Sequence, residues 1–467
     1  MEFVGSSTHK KHKKYKKHKK HKAKDDIISD LPESVINYIL SFLPTKDAVR
    51  TSVLSKRWIE KWTLITNVEL DDSVFYSSKK KSERKTLQQC FINFVNRVLL
   101  LTGSHSVESF SLAIANNYDP SVLNTLITCI LKKRVKKLSI SLSKELTFST
   151  LTTYYLYNHA TCLEELVLTI KTYYSAIKIP LYKISGVFLF TSLKLLKLYG
   201  VTFTIDKSQQ IIFSVLKKFE SQNCLWLSAG VADVTLELKA PLLESVYIMQ
   251  NRVPLTSELP CKIKFSDSRL KEFTYEGDGM TKDIVLSDPP SACNATFTNN
   301  FSSVQETETR VSPLLEQFSQ VKRIKLQFYT EPNVAILPKF AMLSYLELGF
   351  VDIKFLLGLF QNSPALNTLL FKGLLESDHE LLNSAAVPDC LTSSLQVVKF
   401  GDVHGDEYEL LLAKYLMENG TVLERMCFSV SYVCLGKRKV IEEFKEKLYS
   451  FKKGISFAIL EFSYDYC

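Results

Sequence analysis

Between residues 31 and 62 the apolar positions fall at helical spacing. Val35, Ile36, Ile39, Leu40 and Leu43 recur every three or four residues and form one wide stripe. Asp30 can cap the helix that carries them, Pro32 is tolerated in its first turn, and Glu33 suits the positive end of its dipole. Pro44 stops it, and Thr45 can cap a second helix carrying Ala48, Val49, Val53 and Leu54. Ser55 marks a break, and Trp58 and Trp62, one helical turn apart, predict a third short helix. Three helices in about 35 residues rarely hold enough core to stand alone. They also carry more apolar surface than they can cover, so the rest of the chain, a partner, or both must meet the surplus.

Beyond about residue 100 the period changes. A phrase returns in which an apolar residue is followed three positions later by a second and two positions later by a third. The instances are Val107-Phe110-Leu112, Val135-Leu138-Ile140, Leu163-Leu166-Leu168, Leu193-Leu196-Leu198, Leu243-Val246-Ile248, Leu270-Phe273-Tyr275, Val321-Ile324-Leu326, Leu343-Leu346-Leu348, Leu366-Leu369-Phe371, Leu395-Val398-Phe400 and Leu423-Met426-Phe428. So degenerate a phrase recurs about a dozen times by chance in a chain this apolar. The all-leucine form is sharper, with three instances against about one expected. Spacing carries more weight. The starts lie 28, 28, 30, 50, 27, 51, 22, 23, 29 and 28 residues apart, and the two long gaps are near double, as if each hid a degenerate repeat. That period is the one of leucine-rich repeats.

The last two positions of the phrase share one face of a strand, and one repeat cannot bury that face alone, so repeats must stack. The expected fold is α/β: a small three-helix N-terminal unit, then an irregular leucine-rich-repeat solenoid with a mostly parallel sheet and helices on the convex side. Val201, Val351 and Val403 stand where regular repeats place Asn or Cys, so the side-chain ladder of a regular horseshoe is expected to be missing. The alternate strand positions face solvent and are the candidate contacts for a protein target: Lys197, Tyr199, Tyr247, Met249, Thr274, Glu276, Lys325, Gln327, Glu347, Lys399 and Ser429. Two stretches interrupt the array. Ser77–Lys85 reads as an exposed basic loop, and Gly277–Arg310 as a long loop or an ill-formed repeat. Near the end, Asp406 and Glu409 read as a capping box. It opens a helix with apolar face Tyr408, Leu411, Leu412, Tyr415 and Leu416, closed by Asn419-Gly420. Ile455, Phe457 and Ile459 then alternate like a last strand.

Composition adds limits. At 467 residues, 46% hydrophobic and 23% charged, the chain has room for two or three domains or one repeat array. No run is apolar enough for a membrane span, because Lys194 and Lys197 break the best stretch, and no signal peptide is expected. The ten cysteines form no C-x-x-C pair, so neither a disulfide framework nor a metal site is expected, and the compartment is expected to be reducing, nucleus or cytoplasm. Cys129, Cys162, Cys224 and Cys427 read as small buried hydrophobes. The formal charge of +10 is local: residues 1–24 carry +9. That Lys/His tail, residues 1–25, is too self-repelling and too polar to fold, and it reads as a solvated leader or a nuclear-import signal. No phosphate-binding glycine loop, no nucleophile elbow, no zinc-protease motif and no cofactor signature occurs. The histidines outside the tail (His105, His159, His379, His404) have no evident partner for general-base work.

The stretch LPESVINYILSFLPTKDAVRTSVLSKRW, residues 31–58, resembles a plant F-box in its caps, turns and stripe. VPDCLTSSLQVVKF…GDEYELLLAKYLMENGTVLERMCFSV, residues 387–430, resembles the FBD segment that follows repeats in such proteins. The chain is thus similar to the plant F-box/FBD/LRR-repeat family. That resemblance implies an F-box over 26–72, a linker and repeats over 73–386, and an FBD-like segment over 387–467 closing the solenoid. It also implies a non-catalytic subunit of an SCF-type ubiquitin ligase, in which the F-box docks a Skp-type adaptor and through it a cullin, while the repeats bind an unknown target protein. The contacts it implies for the adaptor are Leu31, Pro32, Ile36, Ile39, Leu40, Leu43, Pro44, Val53, Leu54 and Trp58. Two other readings are an interaction scaffold outside any ligase and, against the near-neutral body, a nucleic-acid-associated protein acting through the tail.

Overall fold

The computed structural model describes residues 31–76, 84–103, 107–158, 161–172, 175–183, 188–251, 259–277, 284–288, 290–299, 311–375, 381–384, 386–430, 438–452 and 459–463. Two compact units divide at Ile65.

The first unit holds the helix Glu33–Ser41, the helix Thr45–Arg50, and tight 3-10 turns at Thr51–Val53, Lys56–Trp58 and Lys61–Leu64. The expected third helix is thus two separate turns. Both tryptophans are buried all the same. Pro44, not Thr45, occupies the cap of the second helix, and Thr45 is its first residue. Pro32 likewise precedes the first helix, as suits a residue with no N–H to leave unsatisfied. Asp30 lies outside the described residues. The boundary falls at residue 65 rather than 72, because Asn67–Asp71 is a strand of the second unit.

The second unit is built on one sheet of fifteen strands, in chain order from Asn67–Asp71 to Ile459–Ser463, with every neighbouring pair parallel. All eleven phrases land on it with their strand positions buried, Phe110 and Leu112 through Met426 and Phe428. The two long gaps each hold one hidden repeat. Lys218–Gln222 fills the first and Asn294–Asn299 the second. The phrase misses them because Ser221 takes an apolar position in one, and the small Ala295 marks the other weakly. Gly277–Arg310 is therefore an ill-formed repeat and not a long loop, at least over its described residues. Of the proposed basic loop, residues 77–83 lie outside the described residues, and Lys85 sits on the helix Arg84–Leu101.

Among the described residues, helices such as Pro120–Leu131, Thr150–Asn158, Ile353–Asn362, Glu407–Asn419 and Arg438–Lys452 lie between strands towards the two ends of the sheet. In the middle, strands replace them. Phe188–Phe190, Gln209–Phe213, Thr235–Lys239, Lys262–Ser266 and Ile284–Leu286 pair as a second, parallel ladder. Leu146–Thr147, Ile177–Pro180, Val201–Ile205, Leu225–Ser228 and Leu259–Pro260 form a third, parallel except for its last pair. Segments such as VTFTI and KIKFS alternate with period two and are rich in β-branched and aromatic residues, so they suit strands. Leu168, Phe203 and Phe213, one from each sheet, meet round a cavity of only about 20 Å³, so the three ladders share one packed core.

Backbone pairing between repeats extends one residue before the strands. At the residue before each strand, the amide of Lys136 donates to the Glu108 carbonyl, Glu164 to Lys136, Lys194 to Glu164, Lys217 to Lys194, Glu244 to Lys217 and Lys271 to Glu244. Further on, Asn367 donates to Ser344, Gln396 to Asn367 and Glu424 to Gln396. Val201, Val351 and Val403 are meanwhile free to be buried as core. At the end of the array, Asp406 accepts from the Glu409 amide while the Glu409 carboxylate accepts from the Asp406 amide, so the expected capping box is formed. Gly420 closes this helix by close approach and not by a left-handed turn, since a Cβ there would lie 2.6 Å from the Leu416 carbonyl oxygen. The last strand is Ile459–Ser463 and buries Leu460, so its phase is one residue off the expected Ile455-Phe457-Ile459, of which Ile455 and Phe457 lie outside the described residues. Cys224 is buried as expected, whereas Cys129, Cys162 and Cys427 are only half-buried.

Candidate functional site

Two surfaces stand out, one on each unit. In the first unit Ile36, Leu40, Ala48, Trp58, Trp62 and Ile65 make the core. Eight large apolar side chains remain in water: Val35, Tyr38, Ile39, Phe42, Val53, Leu54, Ile59 and Leu64. Val53 is 87% exposed, Phe42 69%, Tyr38 66% and Leu54 54%. The surplus expected from the sequence is thus present and uncovered. On Glu33–Ser41, Ile36 and Leu40 point inward, and Val35, Tyr38 and Ile39, with Phe42 at its C-cap, fall on a neighbouring face at one-turn spacing. Tyr38 and Phe42 meet edge to face, 4.8 Å between ring centroids. Lys61 pairs with Glu33, joining the last turn to the first helix, and that hydrogen bond holds the Glu33 carboxyl below its ordinary range.

The ten residues expected at the adaptor divide three ways. Ile39, Val53, Leu54, Pro32 and Pro44 are exposed, and Leu31 and Leu43 are half-buried. Ile36, Leu40 and Trp58 are buried in the unit's own core, where they hold its short helices and turns together. Val35, Tyr38, Phe42, Ile59 and Leu64 are also exposed and stand outside the expected set. The signal for Val35 and Phe42 was present in the helical phase they share with Ile39.

On the fifteen-stranded sheet the expected solvent-facing residues do alternate with the core. Lys197, Tyr199, Tyr247, Met249, Thr274, Glu276, Lys325, Gln327, Glu347 and Ser429 are half-buried, and Lys399 is exposed. The charged ones are mostly engaged across strands. Lys197 lies 2.9 Å from Glu220, which also takes Lys218 at 2.7 Å, and Lys325 lies 2.5 Å from Glu347. Burial raises Glu220, but the two lysine hydrogen bonds outweigh it and hold its carboxyl low. Tyr247 donates to Glu276 at 2.8 Å, and burial together with that carboxylate pushes its hydroxyl up to about 12. Such pairs are worth little as stability, but they neutralise the middle of the face. Among the described residues no cluster of three or more His, Cys, Asp or Glu could hold a metal ion, and no helix is long and apolar enough to cross a membrane.

The family profile described as F-box domain matches residues 28–65, which ends at the boundary of the first unit. The profile described as FBD matches residues 383–428, covering the capping-box helix, the strand before it and the first part of the strand after it. An F-box/FBD/LRR-repeat protein of Arabidopsis thaliana is 28% identical over 444 residues, 92% of each chain. An F-box/LRR-repeat protein of the same plant is 25% identical over 457 residues, 86% of this chain and 87% of the relative. An F-box protein, also of Arabidopsis thaliana, is 34% identical over 266 residues, 56% of this chain and 52% of the relative. The chain thus carries an F-box at its start and an FBD near its end, with stacked leucine-rich repeats between them, and over most of its length it is similar to F-box/FBD/LRR-repeat proteins of Arabidopsis thaliana.

Proposed function

We propose that the protein is the target-recognition subunit of an SCF-type ubiquitin ligase. A Skp-type adaptor covers the exposed apolar face of the first unit and links it to a cullin. The repeat sheet holds the target protein. The observation that carries this reading is the surplus of large apolar side chains on a unit of about 35 residues, a size at which none can be spared without a purpose. The F-box match over the same residues supports it, since F-box domains bind Skp-type adaptors in such complexes generally.

No side chain of this chain is needed for ubiquitin transfer. Its part is proximity. A target lysine held near a charged thioester reacts as if at millimolar or higher concentration, and the gain comes from geometry, not from acid–base chemistry. Binding to the adaptor must therefore be separable from folding of the repeats.

Substitution at Val53 and Leu54 provides the test. Both are well exposed, so Val53→Glu with Leu54→Glu leaves the core untouched. The wild-type chain is expected to capture a Skp-type adaptor at one-to-one stoichiometry. The double variant is expected to lose at least about tenfold in affinity, the scale on which buried anchors of an interface act, with an unchanged melting temperature. Capture unaffected by the two glutamates would refute the proposal. With neddylation and the proteasome blocked, targets are expected to accumulate on the wild-type chain.

A further inference from the structure

A cleft of about 420 Å³ opens where four neighbouring strands end, Asn294–Asn299, Arg323–Phe328, Tyr345–Val351 and Thr368–Leu374. Its size falls among ligand-binding clefts, which span ~300–1,000 Å³. Gly349 and Gln327 line it from the solvent-facing side of the sheet. A Cβ on Gly349 would meet nothing closer than Gln327 at 3.5 Å, an ordinary contact, and the backbone there is not left-handed. Neither crowding nor conformation calls for glycine, so what its missing side chain does is keep the cleft open. Tyr329, 76% exposed, Phe350, 40% exposed, and Leu375 give it an apolar rim. Lys372 brings its Nζ to 5.3 Å from the centre of the Phe350 ring.

Charge singles out this end of the face. Lys137, Lys197, Lys218 and Lys325 each have a carboxylate within 3 Å on the sheet itself. Lys372, and Lys399 on the next strand, have none among the described residues. A cation lining an apolar cleft, with a second on the next strand, calls for a ligand that is both apolar and anionic. Asn299 also lines the cleft, and its buried side-chain amide has no hydrogen-bond partner at nitrogen or oxygen.

We propose that this cleft anchors the target through a short extended segment in which an aromatic or leucine side chain stands next to a carboxylate. The apolar side chain sits over Gly349 between Tyr329 and Phe350, and the carboxylate pairs with Lys372. The inference rests on the receptor reading above, which it deepens by naming the chemistry of the segment recognised.

Immobilised short peptides of varied flanks provide the test. One set carries a fixed Phe-Asp or Leu-Asp core, a second has Ala for the apolar residue, and a third has Lys for Asp. The full chain is applied with and without a Skp-type adaptor, and adaptor capture is read on the same sample. Retention on the first set is expected to exceed both others by about tenfold. Phe350→Ala and Gly349→Leu are expected to abolish that preference, and Lys372→Glu to shift it to the Lys set, all without a change in melting temperature. Equal retention on all three sets overturns the proposal, as does a preference that survives all three substitutions. A chain that captures adaptor but ignores the peptide core overturns the cleft alone. A chain that selects the core and never takes adaptor upholds the cleft and removes the ligase reading.

Discussion

Ile36 and Ile39 stand three residues apart on one helix and have opposite fates. The first is buried completely and the second faces water. Ile36→Ala is therefore expected to destabilise the first unit by about 2–5 kcal/mol, the usual cost of deleting a fully buried aliphatic side chain, and to lose adaptor binding only through unfolding. Chemical denaturation followed at Trp58 and Trp62 measures this. Glu331 accepts from the Asp352 amide at 3.1 Å, and burial, reinforced by the Asp352 charge, pushes its carboxyl from 4.5 up to about 9. The folded chain thus keeps a proton that the unfolded chain gives up near pH 4.5. The stability that proton represents is complete below pH 4.5 and is lost as the pH rises towards 9. Glu331→Gln is expected to melt close to the wild type at pH 5 and above it at pH 8. A variant that melts lower at pH 8 would contradict the assignment. Neither effect was legible in the sequence, where Glu331 is one carboxylate among many.

At the scale of elements, the stacking of repeats shows in their aromatic rings. Phe371 and Phe400 lie 4.6 Å apart, Phe400 and Phe428 4.6 Å, and Phe428 and Phe462 5.0 Å, one ring from each of four successive strands. Each repeat is stable only through its neighbours, so a break in this row spreads. Phe400→Ala is expected to cost about 3–5 kcal/mol and to expose the amides of both flanking strands in hydrogen exchange. Protection lost on the substituted strand alone would argue against shared stability. The sequence revealed these strands because the phrase marks residues that point into the core on every turn. It hid Lys218–Gln222 because Ser221 is polar, and it placed helices across the middle of the array where VTFTI and its neighbours form ladders. The expectation of helices followed the general form of the repeat rather than the local period of two, which was there to read. In the first unit the set of apolar residues was legible, but its division between core and surface was not. That division depends on how the turns at Lys56–Trp58 and Lys61–Leu64 fold back, which no spacing along the chain specifies.

The molecule as a whole carries two surfaces of different character. One is apolar and belongs to residues 31–65. The other is a sheet face whose central charges are neutralised in pairs and whose C-terminal part keeps two lysines beside a cleft. On the proposed reading, each acts without the other when the chain brings a target to a ligase. On that same reading, the first surface is covered by an adaptor. Hydroxyl-radical footprinting of the full chain, alone and with a Skp-type adaptor, reads that directly at the side chains. Tyr38, Phe42, Val53 and Leu54 are expected to become protected while Tyr329 and Phe350 stay as reactive as before. The same reactivity at those four residues, with adaptor present in excess, would contradict it.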